Sequence, residues 1–409
     1  MTNSHLASQM FLALQYAFQG TLYGMQLKYL PIILRRTGSS LSLVGSLNLL
    51  TFPWLLKSLW APIIDSYGEK NLWLSINYAG LAIALSLAKT ENGTLFASAL
   101  VLLNICSATV DLTLGKVLIV NFRGDNLSKA SSLQIIGYKT GFLFGGGLAL
   151  LLSDVYFSGK EILVPLAMIY FVLSTVLYVT KASSKPQVCH TTKSAGWSFP
   201  SCERISGLKR ISGLTWMIIC TCVYKFASHS SQSIFTMFLV DQGDSLSRLG
   251  FMSGIAGQII SIVVAAVCGI LLTSKWMSPT QLLLLTSILT VFSVMFQLFA
   301  VSSGIHGNNT FIVFVFVLQN VVHGSQATPV YTLMLRCSQK APPSVRTTCY
   351  SFLGTLEILG KQLSLFLAGV LAEFYGYVVG LSISLTVSIL VVFLIWSCPV
   401  QLRKNSDSI

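Results

Sequence analysis

Apolar runs of about 18 to 25 residues follow one another along the chain, each closed by a few polar residues. They fall at roughly 10–34, 41–64, 72–89, 94–117, 130–152, 162–181, 213–240, 246–273, 279–300, 310–335, 347–372 and 376–398. Runs of about that length cross the ~30 Å hydrocarbon core of a bilayer as α-helix. They lack the period-two alternation and close turn spacing of a membrane barrel. The expected fold is an all-α polytopic membrane protein with twelve transmembrane helices in two six-helix halves. The long connector 182–212 carries Lys185, Lys193, Arg204, Lys209 and Arg210 among Ser, Pro and Gly residues, and reads as a mobile linker. It divides an N-terminal half, 1–181, from a C-terminal half, 213–398, and leaves 399–409 as a tail.

Charge sets the orientation. Only 10% of the 409 residues are charged, against roughly 25% in ordinary globular domains. Loops on the side of the two termini hold fifteen Lys and Arg, and the opposite loops hold five. The excess predicts both termini in the cytosol. The sequons Asn92-Gly93-Thr94 and Asn308-Asn309-Thr310 then fall outside and Asn126-Leu127-Ser128 inside, all three close to the membrane. The nine cysteines lie in apolar spans or inner loops, so no disulfides are expected. The opening MTNSHLASQ lacks the basic stretch of a cleavable signal, so the first span is expected to act as its own insertion signal. The closing NSDSI carries no retention or peroxisomal signal, which leaves the plasma membrane and an endomembrane both open.

The halves repeat. Thr37–Gly45, TGSSLSLVG, joins the first and second spans, and Gln242–Gly250, QGDSLSRLG, joins the seventh and eighth. Gly38, Ser40, Leu41, Ser42 and Gly45 recur at a constant offset of 205 as Gly243, Ser245, Leu246, Ser247 and Gly250. Duplicated halves joined by a long loop are a way to move solutes by rocking one half against the other. Between the second and third spans, DSYGEK places Asp65 to cap a neighbouring helix and Gly68 to permit a tight turn. Such a contact would latch the inner side shut in one state.

Those residues carry a resemblance. DSYGEK resembles the Asp-Arg-x-Gly-Arg-Arg signature of the major facilitator superfamily, with Ser66 and Glu69 standing where that pattern has arginines. Gln19-Gly20-x-x-Tyr23-Gly24 with Leu30-Pro31, and Pro53-x-x-x-Lys57-x-x-Trp60-Ala61-Pro62-x-x-Asp65, together resemble its acetyl-CoA transporter and muropeptide permease branch. The resemblance is sharp over 15–70 and architectural beyond. It implies a secondary transporter, with an acyl-CoA or another bulky anion as substrate.

Ionisable residues within the spans give an independent route to the substrate. A charge at a helix centre costs about 2.5–3.5 kcal/mol on insertion scales, so each is a functional candidate. The cations are Lys28, Lys57, Lys116, Lys139, Lys225 and Lys361, against Asp111 and Glu357. The positive excess favours a water-filled cavity that attracts anions. Lys28 either snorkels outward or faces that cavity; Lys116 either snorkels or meets Asp111; Lys57 serves a cavity, a latch or a snorkelling role. Lys139, Lys225 and Lys361 lie deep in their spans, where flexible ammonium donors suit a phosphate or other anion. Lys361 can instead pair with Glu357, one helical turn away.

Gln19, Tyr23 and Asn104 are further candidates for substrate contact, with Gln15, Tyr16 and Trp54 as lining. Asp111, Glu357, His323 and His229 are candidates for proton coupling, and His323 has the competing role of a buried ring bonded to Gln319 or Gln326. Gly137, Gly141 and Gly145 share a helix face suited to close packing. No metal cluster, nucleophile or phosphate-binding loop is evident, so no cofactor, enzyme activity or ATP-driven pumping is expected. The expected partners are a small anionic solute and the bilayer, with no nucleic acid, and the expected oligomeric state is a monomer. The expected function is anion transport, with acetyl-CoA first. A proton-coupled permease for a peptide-linked sugar, and a non-transporting scaffold, are the alternatives.

Overall fold

The computed structural model describes residues 2–30, 33–34, 49–66, 69–122, 126–149, 152, 160–183, 213–242, 251–304, 309–342 and 345–399. Within the predicted spans the described residues are helical apart from short turns. The first span is Thr2–Gly24, continued by a π-helical turn at Met25–Tyr29. The second is broken where its prolines fall, into Pro53–Leu56, a tight turn at Lys57–Leu59, and Ala61–Ser66. The third is Lys70–Leu87 and the fourth Gly93–Asn121, the latter begun by Asn92, whose Oδ1 accepts from the amides of Thr94 and Leu95. The fifth is Asn126–Phe142 with a π-helical turn at Leu143–Leu148, and the sixth is Leu163–Ser183.

In the second half the seventh span is Leu214–Val223 and Phe226–Asp241, separated by a turn at Tyr224 and Lys225. The eighth comprises Phe251–Ala256 and Gly257–Thr273. The ninth, Pro279–Ser302, starts with a capping box between Ser278 and Gln281. The tenth is Asn309–Gln339. The eleventh and twelfth form one run, Arg346–Trp396, turned at Gly376, whose φ of 81° a side chain would strain. Gly93–Asn121, Pro279–Ser302, Thr310–Gln339 and Arg346–Trp396 are each long and apolar enough to cross a membrane.

Small residues set the packing. A methyl group on Gly137, Gly141 or Gly145 would sit 2.4, 1.8 or 1.9 Å from the carbonyl oxygens of Ala13, Ala17 and Thr21, so the first and fifth backbones touch directly. Gly360 does the same against the Cys222 carbonyl, at 2.0 Å, between the eleventh and seventh spans. The third span packs on the fourth and sixth, and the eighth and ninth pack on the tenth. The fifth span meets the eighth and tenth, and the second and fourth meet the eleventh. Those four contacts join the halves around a central cavity.

Candidate substrate cavity

The cavity encloses about 370 Å³ and takes walls from both halves, among them Tyr16, Tyr23, Trp54, Gln134, Tyr138 and Tyr331. Lys57, Lys139, Lys225 and Lys361 line it, with Asp111 and Glu357. Among the described residues, four lysines face two carboxylates.

Each carboxylate is held by one lysine. Lys57 Nζ lies 2.6 Å from Asp111 Oδ2, joining the second and fourth spans, and 5.1 Å from the centre of the Trp54 ring. Its side chain is only 5% exposed, so the carboxylate and the ring face replace water around the ammonium. Lys225 Nζ lies 2.5 Å from Glu357 Oε1, joining the seventh and eleventh spans. The Tyr224 hydroxyl donates to the same oxygen at 2.9 Å. Glu357 therefore pairs with Lys225, from another helix, and the predicted Lys361–Glu357 pair does not form. Asp111 likewise pairs with Lys57; Lys116 turns to the Ile64 carbonyl, 2.6 Å away.

The other two lysines have neutral acceptors. Lys361 Nζ donates to the Tyr23 hydroxyl at 2.9 Å and lies 5.5 Å from the centre of that ring. Lys139 Nζ donates to the His323 carbonyl oxygen at 3.2 Å. His323 and His229 stack edge to face, with centres 4.7 Å apart, behind Lys139 and outside the cavity lining. His323 Nε2 is buried without a protein partner. The predicted bond to Gln319 or Gln326 is absent: the Gln319 amide is itself buried without a partner, and that of Gln326 takes Ser228 and Thr290.

Two polar candidates sit elsewhere. Gln19 donates to the Ser107 carbonyl at 3.3 Å, and Asn104 accepts from Trp54 Nε1 at 3.1 Å while donating to the Leu100 carbonyl. Neither lines the cavity. Each amide ties two helices, Gln19 to the fourth span and Asn104 to the second, while Gln19 Oε1 is buried without a protein partner. The side chains of Lys28 and Asp65, and the whole of Gly68, lie outside the described residues.

At the end of the bundle where the fourth span meets the fifth, the inner end by the charge pattern, the halves are tied shut. Gln339 Nε2 on the tenth span donates to the carbonyls of Ile119 and Phe122, at 3.1 and 2.5 Å, which end the fourth. Ser131 and Thr332 hydroxyls meet at 2.6 Å, and the Tyr350 hydroxyl donates to Gln134 Oε1 at 2.8 Å. None of these residues stood out in the sequence. Their only mark is polarity at span positions that another half covers.

The Major Facilitator Superfamily family model matches residues 10–357. The chain belongs to that superfamily. It is thus an integral multi-pass membrane transporter, not an enzyme. The superfamily relatives include the AmpG 1 protein of Rickettsia bellii, named a transporter, which is 22% identical over 364 residues, covering 84% of this chain and 86% of that one. The anhydromuropeptide permease of Escherichia coli is 26% identical over 247 residues, covering 57% of this chain and 48% of its own length. Among solved structures, the human organic anion transporter MFSD10 matches with a TM-score of 0.73 at 12% identity, over 95% of this chain and 98% of that one. The E. coli fucose:proton symporter FucP matches at 0.72 and 15%, over 98% of each. These structural likenesses establish the superfamily fold of two six-helix halves.

Proposed function

We propose that the chain carries a polar organic anion across the membrane by alternating access, with a peptide-linked sugar bearing free carboxylates as the first candidate cargo. The observation that carries this reading is the charge of the cavity: four lysines against two carboxylates, with Lys139 and Lys361 left on neutral acceptors. Intramembrane charge is retained where it meets a solute or another charge. The permease relatives favour the peptide-linked sugar over acetyl-CoA, which becomes the second candidate. Residues 1–181 and 213–398 are the rocking halves, 182–212 the linker and 399–409 the tail, with both termini in the cytosol and one chain as the working unit. Glu357 and Asp111 are the candidate groups for ion coupling.

The test is uptake into sealed liposomes holding purified protein and preloaded with the same solute in unlabelled form, with tritiated anhydromuropeptide, acetyl-CoA and a neutral disaccharide in parallel. Saturable anhydromuropeptide uptake, lost in K139Q/K361Q, is the expected result. Equal uptake by that variant, or carriage of the disaccharide alone, would overturn the anion assignment. Uptake of acetyl-CoA alone would replace the cargo and keep the anion.

A further inference from the structure

The four cavity lysines divide by the half they answer to. Lys57 and Asp111 both belong to the first six spans, and Lys225 and Glu357 both belong to the last six. Those pairs travel with their half when it rocks. Lys139, on the fifth span, instead reaches a carbonyl of the tenth, and Lys361, on the eleventh, reaches a phenol of the first. Each unmatched ammonium group is solvated by the opposite half.

Rocking therefore affects the two sets differently. The paired lysines can keep their partners as the halves move, because both members of each pair sit on one half. The cross-half lysines lose theirs as the halves slide, and each ammonium enters the occluded intermediate without an acceptor. The effective penalty for stripping an ion is several kcal/mol even after relaxation. Protonating Asp111 or Glu357 would not help, because it would add to the positive charge. An anion seated between Lys139 and Lys361 removes the problem by replacing both acceptors and cancelling the charge.

From this asymmetry we infer that the unloaded carrier does not reorient, so that the protein is an obligate anion exchanger. The inference rests on the reading of the cavity as an anion site. One anion must bind before the inner end opens, and another must bind before the carrier returns. Transport is then one-for-one, driven by the gradient of either anion.

The experiment needs no cargo. S131C places a thiol at a residue that is fully buried against Thr332 in the inner seal, so it reacts only when that end opens. Alkylation of this thiol is followed by mass spectrometry in the solute-free protein. The parent is expected to label slowly, and K139Q/K361Q at least about ten times faster. K139R/K361R keeps the charge and stays slow. Y23F removes in advance the acceptor that Lys361 gives up on rocking and leaves the charge, so it is expected to label faster than the parent by no more than about threefold. Labelling of K139Q/K361Q at the parent rate would overturn the inference, and so would Y23F labelling as fast as K139Q/K361Q, which would mark Tyr23 as a simple latch. Cys220, buried in the seventh span, reports misfolding. If it labels in the double variant, K139Q and K361Q singly carry the test, each expected about threefold faster. Failure of anhydromuropeptide and acetyl-CoA uptake would remove the cargo reading and leave the labelling result standing.

Discussion

Lys225 and Glu357 meet at 2.5 Å at the turn that interrupts the seventh helix, between Val223 and Phe226. Helical bonds continue on either side of the turn, from the Tyr224 amide to the Cys220 carbonyl and from the His229 amide to the Lys225 carbonyl, and the lysine reaches across to the eleventh span. With Tyr224 donating to the same carboxylate oxygen, the node fixes the seventh span against the eleventh. E357Q leaves the ammonium without its counter-charge and is expected to lower stability by about 3–5 kcal/mol, the usual consequence of breaking a buried pair. K225M/E357L, which removes both charges, is expected to regain most of that loss. Thermal unfolding in detergent measures both, and equal loss in the single and double variants would refute the pairing.

The inner seal depends on Gln339. Its amide takes the last carbonyls of the fourth span, where a helix leaves acceptors unfilled. Q339A removes two hydrogen bonds of about 0.5–1 kcal/mol each. The open population at the inner end should rise by roughly 5- to 30-fold, since about 1.4 kcal/mol is a factor of ten. Alkylation of S131C in the Q339A background reads this directly.

A covalent tie at the same level should lock the carrier. Ser131 and Thr332 face each other across the halves with their hydroxyls 2.6 Å apart. S131C/T332C is expected to cross-link under mild oxidation and to stop uptake, with recovery on adding reductant. Uptake that persists with the cross-link complete would show that the inner end need not open there.

The glycine contacts give a stability test with a built-in control. G141A would drive a methyl group into the Ala17 carbonyl, and is expected to destabilise by about 1–3 kcal/mol or more as the fifth span is pushed off the first. Gly93 has nothing within 4 Å of the corresponding position, and G93A should be neutral within about 0.5 kcal/mol. Unfolding temperatures that fall equally would refute direct backbone contact as the reason for Gly141.

Much of this was legible in the sequence because membrane insertion writes itself into composition. Apolar runs marked the spans, and the penalty for intramembrane charge pointed to Lys57, Lys139, Lys225 and Lys361, all of which line the cavity. Pairing was not legible. Glu357 has Lys361 one turn away on its own helix, and the partner it takes lies 132 residues off, at a helix break that apolar composition conceals. Gln19 and Asn104 misled for a related reason: an amide inside a span looks the same whether it faces a water-filled path or ties two helices. The seal was hidden because Ser131, Thr332 and Gln339 gain their partners only when the halves meet.

Direct backbone contact at Gly141 and Gly360 has a consequence for what the cavity measures. With no side chain between them, the first and fifth spans have no rotamers with which to absorb a displacement, and neither do the seventh and eleventh. Tyr23 and Lys139 therefore stand on one stiff frame, and Lys225 and Lys361 on the other. A solute touching both frames is gauged like an object between the jaws of a calliper. The spacing between its charged ends, more than the outline of its middle, decides whether the jaws can close.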